Sequence, residues 1–325
     1  MIKNILLLFL LFFLIGCDTA SEEAGNTRLQ TSPQYKIAYN VLYDSKNDDY
    51  EIFAMDLDGS NKKNISKWKG VDWVYYAYKD KIYFISDRDT THRIYFLYEM
   101  DANGNNVRKI SDRRLRDSWF ASRNDGQEFI INPHNSVDSL FNIIDTQDNL
   151  LSRLDTGLPF ASDPLFSPDG QKVVFRGGTK KSKREKGFVD ELYLINPDGS
   201  ERTQLTHYPK EDTTAAWWAY KSGPPRWNQK ENFISYQSIQ NGKYSLYGVT
   251  PDGKKQWKLT GNSQEEGWHD WSNDGKLLAI EVFDPNQTQF DIALMDWKEK
   301  TLTVLTDTTY KYQQAPVFVE SNNMN

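Results

Sequence analysis

Asp163-Pro164-Leu165-Phe166-Ser167-Pro168-Asp169-Gly170 runs directly into Gln171-Lys172-Val173-Val174-Phe175. Two short β-forming runs flank a Pro-Asp-Gly turn, whose residues suit a tight reversal between strands. Further on come Glu191-Leu192-Tyr193-Leu194-Ile195, the turn Asn196-Pro197-Asp198-Gly199, and Gln204-Leu205-Thr206. The phrase reads strand, tight turn, strand, loop, strand, tight turn, strand.

It returns six times. An apolar-polar exit pair marks each copy: Ile65-Ser66, Ile110-Ser111, Leu154-Asp155, Leu205-Thr206, Leu259-Thr260 and Leu305-Thr306, at intervals of 45, 44, 51, 54 and 46 residues. The second turn recurs as Asp58-Gly59, Asn103-Gly104, Asp148-Asn149, Asp198-Gly199 and Asp252-Gly253, and Asp296 to Lys300 replaces it in the last copy. A four-stranded unit of this length is a propeller blade. The expected fold is therefore all-β, a six-bladed β-propeller of four-stranded antiparallel blades. Tyr35-Lys36-Ile37-Ala38-Tyr39 matches a second strand with no first strand ahead of it, and Ala315-Pro316-Val317-Phe318-Val319 matches a first strand. The C-terminal strand is thus expected to close the N-terminal blade and hide the exposed edges.

These phrases resemble the TolB-like, WD40-like (PD40) β-propellers of bacterial envelopes. Ser167-Pro168-Asp169-Gly170 before a strand, Ser86-Asp87-Arg88-Asp89 before a third strand, and Glu51-Ile52-Phe53-Ala54-Met55-Asp56-Leu57-Asp58-Gly59 carry the likeness. It covers residues 35–320 and implies fold more than function, since such repeats serve scaffolds, binders and enzymes alike. The expectation includes a departure from TolB itself, because the chain leaves no room for the separate N-terminal domain that TolB carries before its propeller.

The N-terminus suggests where the propeller is held. Met1-Ile2-Lys3-Asn4 is a short positive segment, Ile5 to Ile15 is apolar, and Leu14-Ile15-Gly16-Cys17 resembles a bacterial lipobox. The expectation is a signal peptide over 1–16 and an acylated Cys17, with the lipid bilayer as its first partner. Several acyl chains on one residue give a firm anchor, whereas one is marginal. A tether follows over 17–34, then the propeller over 35–320 and a tail over 321–325. Ser21-Glu22-Glu23 resembles an acidic surface-export tag, although a solvated linker is the simpler reading. The expected location is the bacterial cell envelope, at the outer membrane, with the periplasmic or outer face left open.

The chain has 325 residues, a net charge of -6, 38% hydrophobic content, one cysteine and four histidines. The acidity speaks against a nucleic-acid surface. A single cysteine excludes an internal disulfide, and no cofactor or metal is expected. Asp44-Ser45-Lys46-Asn47-Asp48-Asp49 offers oxygen ligands, but other copies lack them and a turn is the better reading.

Strand direction reverses at each step of a blade. The tight turns therefore gather at one end of the ring, and the blade junctions and two-to-three loops at the other. The basic insertion Thr179 to Gly187 and the insertion Lys210 to Pro225, with Trp217 and Trp218, belong to this loop-rich mouth. Aligned on Phe166 stand Tyr76, Phe120, Trp227, Trp271 and Phe318, so Trp227 and Trp271 read as inter-blade packing. One residue earlier, Arg226 and Asp270 replace apolar residues, and His269 precedes Asp270. These three form either a structural polar network or part of a pocket, with Trp268, Trp217, Trp218, Asp72 and Trp73 as walls.

Three function classes follow. The first is a non-catalytic envelope lipoprotein whose propeller binds a protein partner through its loop-rich mouth. The second is a glycan-binding or glycan-degrading propeller similar to oligogalacturonate lyases, which would gather several histidines at the axis; here one of the four lies on an inner strand. The third, a prolyl-peptidase-like enzyme, needs a hydrolase domain with a G-x-S-x-G elbow, and the sequence has none.

Overall fold

A computed structural model of the chain describes residues 34–261 and 263–321. The leader, Cys17 and nearly all of the tether lie outside the described residues, as does the tail beyond Ser321.

The described chain forms six antiparallel sheets of four strands. Blade one holds β1 (Gln34–Asp44), β2 (Asp49–Asp56) and β3 (Lys63–Asn64). Blade two holds β4 (Asp72–Tyr78), β5 (Lys81–Ser86), β6 (Tyr95–Asp101) and β7 (Arg108–Leu115). Blade three holds β8 (Ala121–Arg123), β9 (Glu128–Ile131), β10 (Phe141–Asp145) and β11 (Leu150–Leu154). In blade four are β12 (Phe160–Phe166), β13 (Val173–Gly178), β14 (Asp190–Ile195) and β15 (Thr203–Gln204). In blade five are β16 (Arg226–Asn228), β17 (Phe233–Gln240), β18 (Lys243–Val249) and β19 (Gln256–Lys258). Blade six has β20 (Glu265–Trp271), β21 (Leu277–Phe283), β22 (Phe290–Asp296) and β23 (Thr301–Val304). The last strand, β24 (Gln313–Ser321), pairs with β1 from Gln34↔Ser321 to Val41↔Gln313 and completes blade one. Ring closure is as the repeat register required, and the pairing includes Gln34 and Ser321, one residue beyond each expected boundary.

The core lies between blades rather than within them. Ala38 and Ile52 of blade one meet Val74 and Phe84 of blade two. The same arrangement recurs around the ring, ending with Ala279 and Ile292 of blade six against Ile37 and Tyr39 of blade one. A single sheet buries each face only against its neighbours, so the ring must close for every interface to be complete.

Two repeated phrases have local physical causes. In the Pro-Asp-Gly turn, Gly170 takes φ +70, a conformation that costs a residue with a Cβ, and its N–H bonds Ser167 O at 2.8 Å. The exit hydroxyl is a bracket. Thr206 Oγ1 accepts the Leu192 N–H at 2.8 Å and donates to Glu191 at 2.6 Å. Ser66 does this for Ile52 and Glu51, Thr260 for Leu246 and Glu266, and Thr306 for Ile292 and Asp291. The outermost strand is short, so this hydroxyl satisfies a third-strand N–H that its edge leaves open.

Blade three departs from the expected alignment at its inner strand. Ser122 pairs with Phe129 as Phe166 pairs with Val173, so Ser122, not Phe120, occupies the aromatic position in blade three. The hydroxyl accommodates the neighbouring ring: Tyr76 Oη lies 3.0 Å from Ser122 Oγ. Phe120 is displaced two residues back and packs edge-on to Tyr75 and Tyr76. Trp271 is the packing residue its position implied, edge-on to Phe233 of blade five and Trp297 of its own blade.

Candidate functional site

Inner strands run parallel around the axis, so equivalent residues form rings. The ring one residue before the aromatic position comprises Tyr75, Ala121, Leu165, Arg226, Asp270 and Val317. All six line one cavity of about 230 Å³, whose rim is formed by tight turns. This cavity therefore opens at the end with stereotyped turns, and Arg226 and Asp270 face it.

Arg226 is buried and held on several sides. Nε lies 3.3 Å from Asp270 Oδ1 and 3.1 Å from the His269 carbonyl. One terminal nitrogen reaches the Tyr75 carbonyl in blade two at 3.0 Å, and the guanidinium lies over the Trp119 ring at 5.8 Å. Asp270 uses its other oxygen to accept the Phe318 N–H at 2.9 Å. Desolvation raises the Asp270 carboxyl and lowers the Arg226 guanidinium, each opposed by the partner's charge. Burial thus outweighs attraction in this pair, as is common for ion pairs withdrawn from water. About 21% of the Asp270 side chain remains accessible from the channel, enough for hydration.

His269 points elsewhere. Its Nε2 meets Ser235 Oγ of blade five at 2.7 Å, and the same hydroxyl accepts Trp271 Nε1–H at 2.9 Å. Burial, reinforced by Arg226, lowers its pKa to about 3, so the imidazole is neutral. Asp72 is buried against Arg88, whose guanidinium also covers the Trp68, Phe84 and Tyr98 rings. Trp73 packs on Tyr50 at 4.7 Å. Neither Asp72 nor Trp73 lines a cavity described here.

Trp268 sits in the bulge of β20 between Glu266 and His269. Its ring meets Trp119 at 5.0 Å, Trp73 at 6.1 Å and Tyr220 at 6.5 Å, and Tyr75 lies 4.1 Å from Trp119. This aromatic layer borders both mouths. Tyr75 lines the turn-side cavity, whereas Trp268 and Tyr220 line a second cavity of about 180 Å³ at the loop-rich mouth.

Trp218 lines this second cavity as well. The insertion bearing it is fastened down. Ala219 packs with Tyr244, Phe283 and Phe290, Asp212 accepts the Asn241 N–H at 2.6 Å, and Tyr208 Oη donates to the Ile239 carbonyl at 2.8 Å. Trp217 and Trp218 are nevertheless 55% and 49% exposed. Arg184, from the basic insertion, lies over the Trp217 ring at 5.0 Å.

The eight residues selected from sequence thus separate. Arg226 and Asp270 face the turn-side cavity, Trp268 and Trp218 the loop-side one, and Trp217 lies exposed beside it. His269, Asp72 and Trp73 are packing residues. Sequence reasoning missed Glu281 and Gln237, both buried beside the loop-side cavity. Glu281 had a readable signal: it is a charge inside the apolar run Leu277 to Phe283. Among the described residues no three His, Cys, Asp or Glu side chains converge to hold a metal, and Asp44 accepts from Lys46 N and Asn47 Nδ2 as a turn residue does.

Comparison with known proteins bears on the fold. No family model matches the chain. Over 149 residues it is 26% identical to dipeptidyl-peptidase 5 of Porphyromonas endodontalis, a match covering 45% of this chain and 20% of that protein. The chain therefore spans about a fifth of the length of that curated relative. The crystal structure of TolB from Acinetobacter baumannii superposes with TM-score 0.64 at 14% identity, covering 87% of this chain and 66% of TolB. Hydrazine synthase of Kuenenia stuttgartiensis gives the same TM-score and identity over 89% of this chain and 47% of its own. Likeness to proteins so different in name carries architecture and not activity. The chain is a six-bladed β-propeller, and its fold is similar to that of TolB.

Proposed function

We propose that the chain is a non-catalytic lipoprotein of the bacterial cell envelope, anchored through acylated Cys17, whose propeller binds a protein partner at its loop-rich face. The observation that carries this reading is the exposed Trp217, fixed on an anchored insertion and flanked by Arg184. A large aromatic beside arginine on a rigid support is the composition of binding hot spots, because little conformational entropy is lost on docking. The lipobox-like Leu14-Ile15-Gly16-Cys17 supports the anchor. Peptidase chemistry is no part of this reading, since the match to the peptidase covers a fifth of that enzyme.

The test uses the full-length chain expressed in bacteria with labelled palmitate, followed by cross-linking in intact envelopes. Cys17→Ser should remove the label and release the protein from the membrane fraction. Trp217→Ala should keep the label and the fold but lose the cross-linked partner. An unlabelled wild-type chain would sink the anchor. A cross-link pattern indifferent to Trp217→Ala would sink the docking face.

A further inference from the structure

The loop-side cavity has a composition that the docking reading does not use. Trp218, Tyr220 and Phe283 supply aromatic surface, and Gln237 and Gln314 supply carboxamides. Glu281 is the only Asp, Glu, Lys or Arg among the described residues lining it. Its side chain belongs to a residue 3% exposed. Oε2 accepts the Ala315 N–H at 3.1 Å, while Oε1 has no hydrogen-bond partner among the described residues. Gly267 leaves room beside it, since a Cβ there would stand 2.5 Å from Oε1. Desolvation raises this carboxyl to about 8, so at neutral pH it is a hydroxyl donor with no counter-charge to answer. Trp268 Nε1, also in the lining, is buried with no hydrogen-bond partner among the described residues, and a buried polar group is costly until something hydrogen-bonds it.

We propose that this cavity binds one neutral sugar ring, with Glu281 and Gln237 bonding its hydroxyls and Trp218 covering its apolar face. Aromatic rings present a flat apolar surface to the C–H side of a pyranose, and neutral amide and acid groups match its hydroxyls. The volume of about 180 Å³ suits a single residue, such as the exposed end of a glycan. A charged sugar is disfavoured: a uronate carboxylate meets no cation among the lining residues, and an ammonium would meet a protonated acid. The site goes beyond the protein-docking reading and does not depend on it, because Trp217 and Arg184 lie outside its lining.

The experiment is saturation-transfer NMR on the full-length protein in lipid nanodiscs, titrated with methyl glucoside, methyl galactoside, methyl N-acetylglucosaminide and methyl galacturonate. At least one neutral glycoside should saturate in the millimolar range, with galacturonate weaker. Trp218→Ala should weaken it by about fivefold, the scale of one aromatic contact, without changing the melting temperature. Glu281→Gln, which still donates and accepts, should bind within about twofold of wild type, and Glu281→Met should lose about tenfold or more. If Glu281→Met does not fold, Trp218→Ala and the galacturonate comparison decide. Failure of every neutral glycoside to saturate, equal binding of galacturonate, or indifference to Trp218→Ala would overturn the proposal. Trp217→Ala should leave sugar binding intact, which keeps this result separable from loss of the protein partner.

Discussion

The Asp270 carboxylate accepts the backbone N–H of Phe318 at 2.9 Å, tying blade six to the strand that closes blade one. The same carboxylate faces Arg226 of blade five at 3.3 Å. One side chain thus links the three inner strands at the seam of the ring. The departure of Asp270 and Arg226 from an otherwise apolar ring of positions has a structural cause, whatever enters the cavity below it.

Asp270→Ala should destabilise the fold by about 3–5 kcal/mol, because it leaves the Arg226 guanidinium buried without its counter-charge. The paired replacement Arg226→Met with Asp270→Leu should recover most of that loss, since two packed apolar residues need no pairing. Urea denaturation of the single and double variants gives the comparison. A double variant no more stable than Asp270→Ala would show that the Phe318 bond, rather than the unpaired charge, is what matters.

Deleting residues 315–325 should abolish cooperative folding. The closing strand supplies Val317 and Val319 to the interface of blades one and two, and Phe318 to that of blades six and one. It also carries the Ala315 N–H that Glu281 accepts. Thermal melting monitored by circular dichroism is the measurement, and a soluble truncation with an unchanged midpoint would contradict closure by this strand.

Thr206→Val should cost about 1–3 kcal/mol, the scale for stranding buried hydrogen-bonding groups. The change removes the acceptor of Leu192 N–H and the donor to Glu191. Thr203→Val, at an exposed position three residues earlier, should stay within about 0.5 kcal/mol of wild type. Equal effects at the two sites would remove the bracket as the reason for the repeated hydroxyl.

Three buried groups should make stability depend on pH, His269 in one direction and Glu281 and Glu191 in the other. His269 is lowered to about 3 by burial, so the unfolded chain takes up its proton first. That contribution is present above the ordinary value of 6.5 and is lost as pH drops toward 3. Glu281 and Glu191 are raised by desolvation to about 8 and about 7 from an ordinary value of 4.5. The folded chain therefore holds protons that the unfolded chain releases. Their contribution is full below 4.5 and is lost as pH rises through 7 and 8. Denaturation midpoints across pH should show a decline from about pH 4.5 to about pH 8 that Glu281→Gln reduces. A decline of the same slope in that variant would mean other groups cause it.

The sequence by itself determined the blade, the number of blades and the closure. Those features follow from strand period, turn chemistry and a recurring exit pair, all of which act over a few residues and are repeated six times. It also pointed to Arg226 and Asp270, because a repeat makes any charge at an apolar position visible. It misjudged Phe120, since only strand pairing shows that the count of residues between turn and aromatic differs in blade three. The tertiary structure decided which mouth each candidate serves. A strand residue and its successor point to opposite sides, and a bulge such as that of β20 changes which side without leaving a mark in composition. Thus Trp268 turns to one cavity, His269 into the seam between blades, and Asp270 to the other cavity. Glu281 and Gln237 meet Trp218 across blades five and six and the insertion between blades four and five, a convergence that depends on the packing of neighbouring blades and not on any local pattern.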